Sequence, residues 1–172
     1  MKKTLIVFVA IISLFLITGC GIKSGKSGGG KSGGSILNPT KTMTCTKVET
    51  DDNGHKTSEE MVITYNSKKV LKVHNTQTIE TDAQYRDFAL NVGKTVAEEM
   101  SKVEGIEVTY TGVDSDKVKM EMDVEFEKVN LEQLKEALGD LYDEEETDSF
   151  YGKKDITIEE FKKENLEGYN CK

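Results

Sequence analysis

An α+β fold is what this sequence predicts: an antiparallel sheet with helices packed on one face, in the order β-β-β-α-β-β-α-α. Three observations lead there. Residues 117–127 alternate without a break, with Val118, Met120, Met122, Val124 and Phe126 pointing one way and Lys117, Lys119, Glu121, Asp123, Glu125 and Glu127 the other. One buried and one wet face is the pattern of an antiparallel sheet covered on a single side. Asp51-Asp52-Asn53-Gly54 is a hairpin signal, because Asn-Gly accepts the positive φ angles of tight turns. Between the early and late strands, Tyr85, Phe88, Ala89, Val92, Val96, Met100 and Val103 form one apolar helical stripe.

The chain begins with Lys2 and Lys3, followed by an apolar run from Leu5 to Ile17. A positive start and an apolar core shorter than the ~20 residues of a spanning helix read as a signal peptide. Ile17-Thr18-Gly19-Cys20 then looks like a lipobox, the cleavage and lipidation site of bacterial lipoproteins. Residues 1–19 are accordingly expected to be removed between Gly19 and Cys20, leaving Cys20 to carry the lipid. Two or more acyl chains such as palmitate, at ~0.8 kcal/mol per buried methylene, anchor a protein stably where one chain does not. The expected location is the cell membrane, with the domain facing outside the cytoplasm.

Residues 20–41 read as the lipidated cysteine and a flexible Gly/Ser/Lys tether, closed by Pro39, the single proline. Within it, Gly25-Lys26-Ser27-Gly28-Gly29-Gly30-Lys31-Ser32 matches the phosphate-loop pattern GxxxxGK[ST]. That pattern works only between a buried strand and a helix whose N-terminus faces the phosphates. A linker offers neither, so the match is rejected.

Residues 42–172 are expected to form a single α+β domain. The first strand is Thr42 to Glu49 and the second Glu59 to Tyr65. After the Asn66-Ser67-Lys68 turn, a third strand runs from Lys69 to Thr81, with Leu71, Val73 and Ile79 on one face. Thr81-Asp82-Ala83-Gln84 has capping-box spacing for the long helix, which Gly105 ends. Ile106, Val108 and Tyr110 line one face of the fourth strand, and Asp114-Ser115-Asp116 turns into the fifth. Asn130-Leu131-Glu132-Gln133 opens a short helix with Leu131, Leu134, Leu138 and Leu141 inward. An acidic loop spans Asp143 to Asp148, Phe150-Tyr151-Gly152 returns toward the core, and Thr157-Ile158-Glu159-Glu160 caps a last helix carrying Phe161.

Charge narrows the partners. The full chain is at −8, and removing Lys2, Lys3, Lys23, Lys26, Lys31 and Lys41, the only charged residues before Thr42, takes the domain to −14. Phosphate-rich nucleic acid is repelled by such a field. Subtracting Cys20 leaves Cys45 and Cys171 near the two ends of the domain. In an oxidising compartment they are expected to form a disulfide that closes a long loop, the alternative being two separate thiols.

Three stretches resemble a known family. They are the lipobox at Ile17 to Cys20; Tyr65-Asn66-Ser67-Lys68-Lys69-Val70-Leu71-Lys72 with the Thr-rich strand after it; and Gly105-Ile106-Glu107-Val108-Thr109-Tyr110-Thr111, continuing through Val118-Lys119-Met120-Glu121-Met122 to Glu127-Lys128-Val129. On these the chain resembles the YehR-like family of small bacterial lipoproteins, a family of unknown function. The resemblance implies an α+β lipoprotein domain and supplies no catalytic motif. The Gly-Ser tether and the Cys45/Cys171 pair depart from it.

Candidate chemistry is sparse. His55 sits beside the Asn53-Gly54 turn and His74 on the wet face of the third strand, both read as surface histidines, and neither HExxH nor CxxC occurs. Asp140, Asp143, Glu144, Glu145, Glu146 and Asp148 lack the spacing and the bend glycine of a calcium loop. Met120 and Met122 belong to an alternating apolar face and read as core. No catalytic residue, metal site or cofactor is therefore assigned. The expectation is a non-enzymatic binding or interaction module, tethered to the membrane through its lipid, with an unknown envelope protein or small ligand as partner. A small-ligand or cation receptor is the alternative, and an envelope hydrolase comes third.

Overall fold

Long threonine- and valine-bearing runs separated by Gly and Asn turns leave the chain little choice but extended hairpins. The computed structural model describes residues 39–139 and 150–172. The signal and lipobox residues, the tether as far as residue 38, Leu141 and the acidic run at 140–149 lie outside the described residues. Strands β1 (Lys41–Thr50), β2 (Lys56–Tyr65) and β3 (Val70–Glu80) precede helix α1 (Ala83–Met100). Strands β4 (Ile106–Asp114) and β5 (Lys117–Glu125), helices α2 (Leu131–Leu138) and α3 (Ile158–Asn165), and the two-residue β6 (Asn170–Cys171) complete the order.

The described strands form one sheet in the order β4-β5-β3-β2-β1-β6, with every neighbour antiparallel. The α+β architecture read from the sequence is the one present. β1 to β3 form a meander; α1 then carries the chain across, so that β5 joins β3 and β4 becomes an edge. β6 has no counterpart in the sequence reading: two residues carry no periodicity, and only pairing with β1 makes them a strand. A shift in register between Thr64 and Tyr65 sets Val70 opposite Tyr65, turning Val70 into the core and leaving Leu71 half-buried.

The core lies between the sheet and its helices. Val108, Tyr110, Met120, Met122, Val124, Val73 and Ile63 fill its sheet side. At one end Phe126, Phe150 and Phe161 pack as an aromatic cluster, with ring centroids 5.5 to 6.1 Å apart. α3 reaches it through a complete capping box, in which Thr157 Oγ1 accepts from Glu160 N and Glu160 Oε2 accepts from Thr157 N.

Two details of α1 correct the sequence reading. Tyr85 and Phe88 are exposed at 56% and 52%, while Gly93, Ala97 and Met100 are buried. A Cβ at Gly93 would fall 2.4 Å from Tyr110 Cδ1, so the helix approaches the Tyr110 ring through Gly93, and Tyr85 and Phe88 near its start are left outside the core. Asp82 is the N-cap, yet its side chain makes no cap hydrogen bond and stands instead 3.4 Å from His55 Nε2. At α2, Asn130 accepts from the backbone N–H groups of Glu132 and Gln133, but Gln133 accepts from Glu104 N rather than closing the box.

Candidate functional site

Register decides which side chains meet. On the helix-facing side of the sheet, Tyr110, Met120, Gln77, Glu59 and Lys47 line up across β4, β5, β3, β2 and β1. The adjacent row is Val108, Met122, Asn75, Met61 and Cys45, ending on Cys171 of β6. Three polar groups of these rows stand out for their burial: Asn75 and Gln77 are fully buried and Glu59 is 7% exposed.

Asn75 Nδ2 donates to Glu59 Oε1 at 2.8 Å. A carboxylate only accepts, so this contact fixes the Asn75 amide and turns its Oδ1 away. That oxygen, together with both Nε2 and Oε1 of Gln77, finds no hydrogen-bond partner among the described residues. Tyr169, from the segment leading into β6, hydrogen-bonds to Glu59. Burial raises the Glu59 carboxyl above its ordinary value, partly offset by Tyr169, Asn75 and the nearby charge of Lys47. Lys47 itself is committed elsewhere, with Nζ 2.7 Å from Glu49 Oε1 and 5.5 Å from the centre of the Tyr169 ring. Tyr151 lies over the second row, its hydroxyl 3.8 Å from Met122 Sδ. Burial raises the Tyr151 and Tyr169 phenols and pushes Tyr110 up to about 12, so all three are neutral donors.

The residues singled out in the sequence fall elsewhere. Gly19, Cys20 and the acidic run lie outside the described residues. Cys45 and Cys171 are directly opposed on β1 and β6 with their sulfurs bonded, flanked by a pair of backbone hydrogen bonds between Thr44 and Lys172. His55 bridges Asp51 of the β1–β2 turn and Asp82 at the start of α1, at 3.3 and 3.4 Å. The Asp51 hydrogen bond raises its pKa against a smaller opposing effect of burial, and both carboxylates add to the rise. His74 is on the opposite sheet face, 3.2 Å from Asp123. Burial pushes the Asp123 carboxyl up, and its contacts with Lys72 and His74 outweigh that, leaving it lowered. Among the described residues no group of three His, Cys, Asp or Glu could hold a metal ion, and no helix is long and apolar enough to cross a membrane.

Glu59, Asn75 and Gln77 were not marked from sequence, although a signal existed. Extending the alternation that carries Leu71, Val73 and Ile79 puts Asn75 and Gln77 on the same face as buried Val73. Glu59 opposite Gln77 needed the β2–β3 register.

No protein-family model and no curated protein matches the chain. Its fold is similar to that of the E. coli YehR protein solved by NMR, with a TM-score of 0.52 and 18% identity over 74% of this chain and 86% of that one. A Streptococcus pneumoniae TIGR4 protein, also solved by NMR, gives a TM-score of 0.48 and 13% identity over 91% of this chain and 99% of the other. The likeness to YehR is one of fold.

Proposed function

We propose that this chain is a lipid-anchored member of the YehR-like lipoproteins that works outside the cytoplasm and binds a small polar ligand without converting it. The order of positive start, apolar run, small residues and Cys20 supports the anchor. One observation carries the binding role: the fully buried amides of Asn75 and Gln77 keep hydrogen-bonding capacity that no described residue uses. Each such group costs about 1–3 kcal/mol when left unpaired, and a ligand that pairs with it offsets that cost. The histidines stand at a turn and on the opposite face, and the cysteines beside the row are bonded to each other, which speaks against a hydrolase.

An envelope protein docked on the wet face is the competing reading. Charges there are already satisfied by one another, with Lys72 2.7 Å and His74 3.2 Å from Asp123 and Lys119 3.0 Å from Glu121. Such pairing favours the small ligand. A thermal-shift screen of the full chain against small polar metabolites should raise the midpoint for one chemical class, and a flat response across the panel would remove the binding role. Labelled palmitate should enter the wild-type protein in cells and fail to enter Cys20→Ala; label retained by the variant would exclude Cys20 as the anchor.

A further inference from the structure

We propose that the open edge of β4 is a self-association surface, on which a second copy of this chain pairs antiparallel and joins the two sheets into one. The two edges of the described sheet are finished differently. At β1, β6 pairs with Cys45 and Thr46, and the disulfide holds it there. β4 has no outer neighbour among the described strands. Side chains nevertheless close it toward both ends. Ser101 Oγ accepts from Val108 N at 2.9 Å and donates to Val108 O at 3.2 Å, and Arg86 Nε donates to Asp114 O at 3.1 Å.

In an antiparallel ladder, alternate residues turn N–H and C=O to the same side. Val108 offers both groups to the outside, so Tyr110 and Gly112 do as well. No partner for those groups stands among the described residues. Native proteins blunt a sheet edge to prevent stray pairing. Here the blunting stops at a window of Tyr110, Thr111 and Gly112, and Thr109, Thr111 and Gly112 are exposed. The window is its own complement. With a symmetry axis on Thr111, Tyr110 of each copy pairs with Gly112 of the other, and each such pair exchanges both of its N–H···O bonds. Every open group is then used, and the closed positions Val108 and Asp114 fall outside the window. Thr111 meets Thr111, a favourable cross-strand pair, and Thr109 comes beside Val113, which is 50% exposed in the single chain.

Helix α1 adds a charge match. It runs antiparallel to β4, with Ser101 at Val108, Gly93 at Tyr110 and Arg86 at Asp114. Asp87, Lys94 and Ser101 recur every seven residues, so Asp87 and Lys94 share the flank on which Ser101 reaches the open edge. Both are exposed, and they stand on either side of the level of Thr111. Rotation about Thr111 brings Lys94 of each copy to Asp87 of the other. An unrelated extended peptide would use the edge groups and gain nothing from this flank, which favours a second copy as the occupant.

The test places a cysteine on the axis. A non-hydrogen-bonded pair sets its Cα atoms about 4.5 Å apart, within the span of a disulfide. The full-length Thr111→Cys chain, treated with a mild oxidant at about 0.15 M salt, should run as a covalent dimer well above the background set by the wild-type cysteines. Glu107→Cys and Lys119→Cys lie away from the axis and should stay at that background. Adding Lys94→Glu should cut the Thr111→Cys dimer about fivefold, and adding Asp87→Lys to that variant should restore it. Sedimentation of the wild-type chain should show a dimer that grows with concentration. Crosslinking at Thr111→Cys no greater than at Lys119→Cys overturns the proposal, as does a wild-type chain that sediments as a monomer up to about 1 mM. Thr111→Cys joined in intact cells only to other proteins would make the edge a docking strand for a different partner, and would overturn self-association too. Thr111, Lys94 and Asp87 are exposed, so the deciding variants leave the core undisturbed.

Discussion

Glu59 is the residue at which stability and binding meet. Burial holds its folded pKa above the ordinary 4.5, so between those two values the folded state carries more proton than the unfolded chain. Stability therefore falls as pH rises through that window. Urea midpoints measured from pH 4 to pH 8 should show this decline, and Glu59→Gln should flatten it and exceed wild type at neutral pH; an unchanged slope in the variant would place the pH dependence elsewhere. His55 titrates in the opposite setting. Its pKa is raised by Asp51 first and by Asp82, so its contribution is present below 6.5 and disappears as pH rises through the folded value. His55→Gln should remove a pH-dependent component between pH 6 and 8 from the same titration. Asn75 and Gln77 were legible in principle, since they share parity with Val73 and Ile79. They went unmarked because a polar residue on a buried face means nothing until its partners are known.

At the scale of elements, α1 shows why a periodic stripe is an incomplete guide. The stripe counts hydrophobicity, whereas a helix laid on an aromatic ring is placed by close approach. Gly93 sits where a methyl group would overlap Tyr110, so Gly93→Ala should cost about 1–3 kcal/mol by overpacking, more than the up to ~1 kcal/mol of helix propensity it gains. Equilibrium urea unfolding checks the sign; a more stable variant would show that Tyr110 moves aside freely. The caps differ in the same instructive way. Thr157 closes both halves of its box, and Thr157→Ala should cost about 1 kcal/mol in the same measurement. Thr81 and Gln84 have capping-box spacing in sequence, but in the fold the N-cap is Asp82, one residue later, whose carboxylate makes no cap bond and stands 3.4 Å from His55 Nε2.

Across the whole molecule, Cys45–Cys171 joins residues 126 apart and pins the shortest strand to the sheet edge. Loop-closure entropy for such a span gives about 5 kcal/mol, with measured losses on removing native bridges of about 2–5 kcal/mol. A Cys45→Ala, Cys171→Ala double variant should lose stability in that range by urea unfolding and should raise hydrogen exchange in β1. A loss below about 1 kcal/mol would mean that β6 and the Tyr169 segment stay docked without the bridge. The same bridge holds Tyr169 over Glu59, so the fold's staple and the candidate site share one short segment.

By itself the sequence determined strands β1 to β5, the helices and the one-sided sheet, and it is the ground on which a lipid anchor at Cys20 is proposed. Those features are local: alternation, stripes, turn residues and the order of charge, apolar run and cysteine are all read within a few turns of chain. Only the tertiary structure decided which residues of that local grammar face one another. It placed Glu59 across from Gln77, aligned Cys171 with Cys45, set Gly93 on Tyr110 and drew Asp82 from its cap to His55. Each of these depends on register or on close packing between segments distant in sequence. A single strand or helix carries no information about the position of its neighbour.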